Sequence, residues 1–274
     1  MMRPVSEAAA TDLLDLARDT ARAAGALLLE RFGDPARGVT AKTSRTDLVS
    51  DADRDAEALI VSALARSRPD DAVLAEEGVQ PAGGRAGAAG RSGVRWLVDP
   101  LDGTINYLWG IPHWCVSLAV ADADGTLAGV VHDPSRDETF TARRGAGASL
   151  GGRALRLEGG PPLAEAMIAT GFNYRPEERA RQAARLRGVL PRVRDVRRFG
   201  AAALDLAWLA AGRVDGYFET GLAAWDWAAG GLIVTEAGGV VRELPPGGGS
   251  PAGLVAARAH LAGPLMALLG AASA

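Results

Sequence analysis

The stretch Asp99-Pro100-Leu101-Asp102-Gly103-Thr104, set between Val94-Arg95-Trp96-Leu97-Val98 and Ile105-Asn106-Tyr107, decides how the rest of the chain is read. Two carboxylates, a glycine and a hydroxyl within six residues at a strand end have the composition of a metal-phosphate site, because Mg²⁺ takes hard oxygen ligands of this kind. Pro100 fixes the local backbone, so the Leu101 carbonyl is aimed at the point that the flanking aspartates face. Gly103 permits close backbone approach, and the N–H groups of Gly103 and Thr104 are available to phosphate oxygens if a helix begins there. The same residue types also compose an Asx turn. The six residues alone leave both readings open.

Acids elsewhere favour the first reading. Glu76 and Glu77 follow Val73-Leu74-Ala75, which predicts a short buried strand delivering acids at its end. Asp226, flanked by Trp225 and Trp227, opens a stretch that runs through Leu232-Ile233-Val234 to Gly238-Gly239, the pattern of a helix with a glycine stop. The helix dipole favours an anion at that start, so Asp226 serves equally as a cap or as a ligand. Of 30 Lys and Arg residues only Lys42 is a lysine. A compact ammonium suits a site crowded with metal-bound water better than the wide guanidinium fork. It is followed by Asp47-Leu48-Val49-Ser50-Asp51-Ala52-Asp53.

Taken together these residues resemble the inositol monophosphatase family of Mg²⁺-dependent, lithium-sensitive phosphatases. Its signature D-P-[IL]-D-G-T-x-N-[FY] is matched by Asp99 to Tyr107, and W-D-x-A-x-G by Trp225 to Gly230, with Glu236-Ala237-Gly238-Gly239 beyond. The K-x-x-x-x-D-L-V-[ST]-x-x-D segment is matched by Lys42 to Asp53, and the paired glutamates by Glu76-Glu77. The likeness spans almost the whole chain. Ala75 replaces a glycine usual before the glutamates, and Gly200-Ala201-Ala202 lacks the Ser or Thr usual after its glycine.

The resemblance implies a layered α-β-α-β-α sandwich and a homodimer. It implies that Glu76, Asp99 and the Leu101 carbonyl hold one Mg²⁺, and that Asp99, Asp102 and Asp226 hold a second, with a third, weaker ion reached from Glu76 through water. Asp53 and Thr104 would orient the attacking water and receive its proton, while Lys42 lends electrostatic support near the metal waters. Glu219 would bind a hydroxyl of the polyol, helped by Asp102 and the Ala202 amide, with Gly103 and Thr104 at the phosphate and Asp226 beside the substrate.

Composition agrees with a soluble enzyme. A chain of 274 residues buries a sizeable core, and a formal charge of −3 gives no bulk attraction to nucleic acid or anionic membrane. The basic run Arg192-Val193-Arg194-Asp195-Val196-Arg197-Arg198 reads as a solvated face. Cys115 is the sole cysteine, so no intrachain disulfide forms, and its apolar setting predicts burial. No run approaches the roughly 20 apolar residues of a membrane span. The charges Asp12, Asp15, Arg18, Asp19 and Arg22 make the N-terminal segment an amphipathic helix instead of a signal peptide, and a cytoplasmic location is expected.

Helical spacing covers Ser6 to Phe32. A second helix starts at Ser50, with Asp53 three residues on as its box partner. The runs 116–120, 127–132 and 138–142, with Asp124-Gly125 as a hairpin turn, predict an antiparallel meander. Gly151-Gly152 and Gly159-Gly160-Pro161-Pro162 mark a passage between an N-terminal α+β half, 1–150, with most of the ligands, and a C-terminal α/β half, 151–274, with Asp226 and the substrate contacts. In the latter a strand 167–170, helices 176–190 and 201–211, a strand 216–219 and the Asp226 helix are expected.

Competing metal readings fail on spacing. Asp51-Ala52-Asp53-Arg54-Asp55 opens like an EF-hand loop, but Ala56 and Ser62 stand where glycine and glutamate are needed. It also lacks the threonine of a D-x-D-x-T motif. His113, His132 and His260 share no ligand spacing. The expected reaction is Mg²⁺-dependent hydrolysis of a small phosphate monoester, inositol-1-phosphate foremost. Histidinol phosphate, fructose 1,6-bisphosphate and a 3′-phosphoadenosine nucleotide are the alternatives on the same fold, and a non-catalytic regulatory binding protein is the alternative outside enzymology.

Overall fold

A computed structural model describes residues 6–33, 39–41, 48–78 and 90–271; Lys42 lies outside them. Helix α1 (Glu7–Arg31) begins where the Ser6 hydroxyl oxygen accepts the Ala9 N–H at 3.3 Å, and it buries Leu13, Ala17, Ala21, Ala24 and Leu28 along one stripe. A two-stranded ribbon, β1 (Thr40–Ala41) and β2 (Leu48–Val49), leads to α2 (Asp51–Ser67). Asp53 Oδ2 accepts the Ser50 backbone N–H at 2.8 Å and its hydroxyl at 2.5 Å, so two polar groups at the helix entry are satisfied by the box partner that the spacing predicts.

Next come β3 (Ala72–Ala75), β4 (Arg95–Asp102), the short α3 (Thr104–Leu108), β5 (Cys115–Asp122), β6 (Gly125–Asp133), β7 (Glu138–Arg143), β8 (Gly147–Leu150) and β9 (Arg153–Ala154). The strands form one seven-stranded sheet in sequence order, with β3 parallel to β4 and the others antiparallel. As the edge strand, β3 buries only Ala72 and leaves Val73, Leu74 and Ala75 half-buried, less than the apolar run predicts. The β5–β6 turn is Ala123-Asp124, with Gly125 at φ 109° as the first residue of the next strand. Gly151-Gly152 forms the β8–β9 turn, so the sheet continues to Ala154.

The remaining elements are β10 (Met167–Thr170), α4 (Pro176–Val189), β11 (Asp195–Arg197), α5 (Ala202–Ala210), β12 (Gly216–Thr220), α6 (Ala224–Glu236), β13 (Val240–Leu244), β14 (Gly253–Ala257) and α7 (Ala259–Ala271). Their sheet has the order β11-β10-β12-β14-β13, parallel across the first three strands and antiparallel at β14. No described helix is long and apolar enough to cross a membrane.

Stacking gives α1 and α2, the seven-stranded sheet, α5 and α6, the five-stranded sheet, then α4 and α7. Among the described residues three apolar cores fill the interfaces. The first lies between α1/α2 and the large sheet, the second wraps α5 and α6 between the two sheets, and the third lies under α7. Helices α5 and α6 are thus covered on both faces, which explains why their sequences lack a polar stripe. The layered α-β-α-β-α sandwich is the expected one.

Candidate active site

The sequence Asp99 to Thr104 ends β4 with a bulge: Asp99 pairs with Ser117 but Asp102 with Cys115, so Pro100 and Leu101 stand opposite the single residue Val116. Pro100, which has no N–H to give the ladder, sits inside that irregularity. The Asp99 Oδ1 accepts the Leu101 N–H at 3.0 Å, so the Asx turn and the acid-bearing site are one structure. Gly103 then takes φ 93° as the cap of α3, and a Cβ there would lie 3.0 Å from the His113 carbonyl oxygen and 3.1 Å from Ala201 Cβ. Glycine is required on both counts.

Thr104 is buried, and its hydroxyl lies 2.9 Å from Asp53 Oδ1 and 3.0 Å from the Leu101 carbonyl oxygen, as donor to one or the other. Asp53 is 1% exposed and already accepts from Ser50. Across the sheet, the Glu76 N–H bonds the Val98 carbonyl at 3.1 Å, which holds Glu76 beside the end of β4. Asp226 enters from α6, where its Oδ2 accepts the Ala223 N–H at 2.7 Å; it is half-buried despite its tryptophan neighbours. Asp102 is clasped by α5, its Oδ1 accepting from the Ala202 N–H (3.1 Å) and its Oδ2 from the Ala203 N–H (2.7 Å). The Ala202 amide, expected at the substrate, is therefore spent on Asp102. The buried Cys115 thiol reaches the same carboxylate at 3.6 Å.

Glu219 stands on β12, where the Tyr217 hydroxyl donates to its Oε2 at 2.6 Å. A Cβ on Gly171 would fall 1.9 Å from that oxygen. Tyr217 and Gly171 thus shape the site without any local signal beyond their position. Arg198, read as part of a solvated run, in fact lines the site, as do Asn173 and Tyr174. Asp195 to Arg197 form the edge strand β11.

Glu76, Asp99, Leu101, Asp102, Gly103, Thr104, Ala202, Glu219 and Asp226 all line one cavity of about 460 Å³. Its electrostatics are those of crowded carboxylates. Burial, then the charges of Glu76, Asp102 and Asp226, push Asp99 well above the ordinary range. Burial raises Asp102 to about 7 against the opposing pull of the Ala203 N–H, and burial raises Glu219 to about 7 against the Tyr217 hydrogen bond. Among the described residues no three acid, histidine or cysteine side chains are already gathered into a closed ligand shell. The donor set nevertheless fits Mg²⁺: the oxygens are hard, the acids repel one another, and a cation among them relieves that repulsion.

A layered sandwich whose acid-lined cavity opens at the end of a bulged strand, beside a short helix start, has the form of a sugar-phosphatase-type fold. The chain belongs to the inositol monophosphatase family, whose profile matches residues 9–271. It is 42% identical to an inositol-1-monophosphatase of Mycobacterium bovis, over 98% of this chain and 93% of that one. It is 46% identical to the Nus factor SuhB of Xylella fastidiosa, over 82% and 79%. The crystal structure of the extragenic suppressor protein suhB of Bartonella henselae superposes with a TM-score of 0.83 at 36% identity, covering 94% of this chain and 98% of that one. The family is one of metal-dependent phosphatases.

Proposed function

We propose that this protein hydrolyses small phosphate monoesters, inositol-1-phosphate foremost, with Mg²⁺ bound in the acidic cavity. The observation behind this reading is the convergence of Glu76, Asp99, Asp102 and Asp226, from two strand ends and a helix start, on one cavity where Asp99 is buried among like charges. Glu76, Asp99 and the Leu101 carbonyl would hold one ion, and Asp99, Asp102 and Asp226 another. Bound there, divalent ions supply an acidified water and positive charge against the phosphate oxygens.

The chain's own residues do the rest. The Thr104 proton is committed to Asp53 or the Leu101 carbonyl, so its hydroxyl meets water as an acceptor. A proton leaving that water passes to Thr104 Oγ1 as the hydroxyl's own proton moves to Asp53 Oδ1. Asp53 already accepts two bonds from Ser50, which weakens it as a base, so most of the activation falls to the metal. The amides of Gly103 and Thr104 receive phosphate oxygens. Glu219 accepts a hydroxyl of the leaving alcohol, while Ala202 acts through Asp102.

The test is phosphate release from inositol-1-phosphate, histidinol phosphate, fructose 1,6-bisphosphate, a 3′-phosphoadenosine nucleotide and an aryl phosphate, with and without Mg²⁺. Release should require Mg²⁺ and be fastest with inositol-1-phosphate. Asp99→Asn should reduce it to background while unfolding stays cooperative. Release from Asp99→Asn near the parent rate, or release indifferent to chelator, defeats the reading.

A further inference from the structure

Asp102 is clasped by the first amides of α5, and α5 is itself held by a buried polar pair for which the proposed reaction has no use. The Nε2 of His113 lies 3.0 Å from Asp205 Oδ1, with side chains only 7% and 2% exposed. Burial disfavours the charge of each partner, pushing His113 down to about 4 and Asp205 well above the ordinary carboxylate range, so each side chain depends on the other for its hydrogen bond. Phe199 stacks on the imidazole at 5.1 Å and Trp208 meets it edge-on at 4.7 Å. Every other residue of α5 except Trp208 is an alanine or leucine, all of them buried. An apolar side chain at 205 would suit such a helix better, because a polar group taken out of water is costly unless it is bonded.

The backbone of His113 is tied to the opposite flank of the site. Its carbonyl accepts the Asn106 Nδ2 at 2.7 Å, and Asn106 also donates to the Phe199 carbonyl at 2.7 Å. Gly103 is wedged between the His113 carbonyl and Ala201. His113 therefore joins α3 through its carbonyl and α5 through its ring, and Asp102 lies between those two elements. Apolar contacts are non-directional, whereas the His113–Asp205 bond specifies one orientation of α5.

We propose that His113 and Asp205 are positioning residues: their bond fixes the start of α5 against the α3 segment, sets the orientation of Asp102, and so governs how tightly the cavity holds Mg²⁺. The inference rests on the Mg²⁺ reading above. Groups that orient ligands from behind typically alter metal affinity by 10- to 100-fold when removed, and an effect of about tenfold is expected here.

The test compares the parent, Asp205→Asn, His113→Phe, and the double variant His113→Phe with Asp205→Leu. Each metal-free protein is titrated with MgCl₂ by calorimetry, melted, and assayed for kcat and KM across Mg²⁺ concentrations. Asparagine still bonds the imidazole, so Asp205→Asn should match the parent. The double variant replaces both partners with apolar groups of similar size, which is close to neutral for stability. It should melt within about 5 °C of the parent yet bind Mg²⁺ about tenfold more weakly, with the same rise in the Mg²⁺ needed for half-maximal rate. A merely structural pair would move the melting point and leave the affinity of the folded protein unchanged. Should the double variant not fold, His113→Phe, which keeps both ring contacts, carries the comparison. Parent-like Mg²⁺ affinity in these variants overturns the proposal alone, as does an Asp205→Asn loss as large as the double variant's. A parent that binds no Mg²⁺ overturns the proposed function and this inference together.

Discussion

Glu219 keeps its place because position 171 carries no side chain and because the Tyr217 hydroxyl holds one of its oxygens. A hydrogen bond from a substrate hydroxyl to this carboxylate is worth about 1.5–3 kcal/mol. Glu219→Gln should accordingly lower kcat/KM for inositol-1-phosphate at least about tenfold and leave an aryl phosphate, which has no such hydroxyl, little changed. Gly171→Ala should give the same pattern from the other side, since its Cβ would fall 1.9 Å from Glu219 Oε2 and displace the carboxylate. Equal losses on both substrates in steady-state assays would instead make Glu219 part of the metal shell or a structural residue.

At the scale of elements, small residues decide how closely helix and sheet approach. A Cβ on Gly129 in β6 would meet the Cα and carbonyl oxygen of Ala229 in α6 at 2.9 and 3.0 Å. Backbone cannot swing aside as a side chain can, so Gly129→Ala should cost about 1–3 kcal/mol, read as a lower denaturant midpoint at unchanged slope. Elements with local signals were legible in the sequence: the Ser50-Asp53 box, the hairpin from β5 to β6, and the Pro176 start of α4. The acid positions were legible as well, since Asp99, Asp102 and Asp226 sit in compact motifs. What was not legible depends on distant partners. His113 and Asp205 are 92 residues apart, and nothing near either residue marks the other. Tyr217 reads as one more apolar strand residue until Glu219 is seen beneath its hydroxyl. The edge position of β3, and with it the exposure of Val73, follows from sheet order, not from its own apolar run. The β13–β14 hairpin and α7 are masked in the sequence because Pro245-Pro246-Gly247-Gly248-Gly249 and Pro264 are breaker signals, yet α7 holds Pro264 within the helix.

For the molecule as a whole, buried titratable groups tie stability to pH. His132 is packed under α1, where a Cβ on Gly25 would approach its ring to 2.6 Å, and its Nδ1 faces the Thr139 hydroxyl at 3.0 Å. Burial, then the nearby Arg22 charge, lower it from 6.5 to about 4. Below pH 6.5 the unfolded chain takes up a proton at this residue that the folded protein refuses, so stability falls as pH drops toward 4 and levels off beneath. The slope is about 1.4 kcal/mol per pH unit and the whole effect about 3 kcal/mol. Buried acids such as Glu219, raised to about 7, act with the opposite sign, because the folded protein binds their protons first. The expectation is therefore a difference: His132→Gln should lose less stability than the parent between pH 6.5 and 4 in guanidinium titrations. Parallel curves for the two proteins would show that His132 titrates in the folded state as it does in the unfolded.

The helical layer shared by the two sheets also bears on how molecules enter and leave. Hinge or shear closure needs either a flexible neck or a face along which packed surfaces can slide. Here Ala229 backbone rests on Gly129, Leu206 and Ala203 crowd Gly230, and one continuous apolar core joins both sheets through α5 and α6. Asp102 is bonded to the start of α5 and Asp226 to the start of α6, so both cavity acids are carried by that one layer. On the proposed function, alcohol and phosphate would pass by the segments that carry Asn173, Tyr174, Gly221 and Leu222, which line the same cavity, without the two sheets having to part.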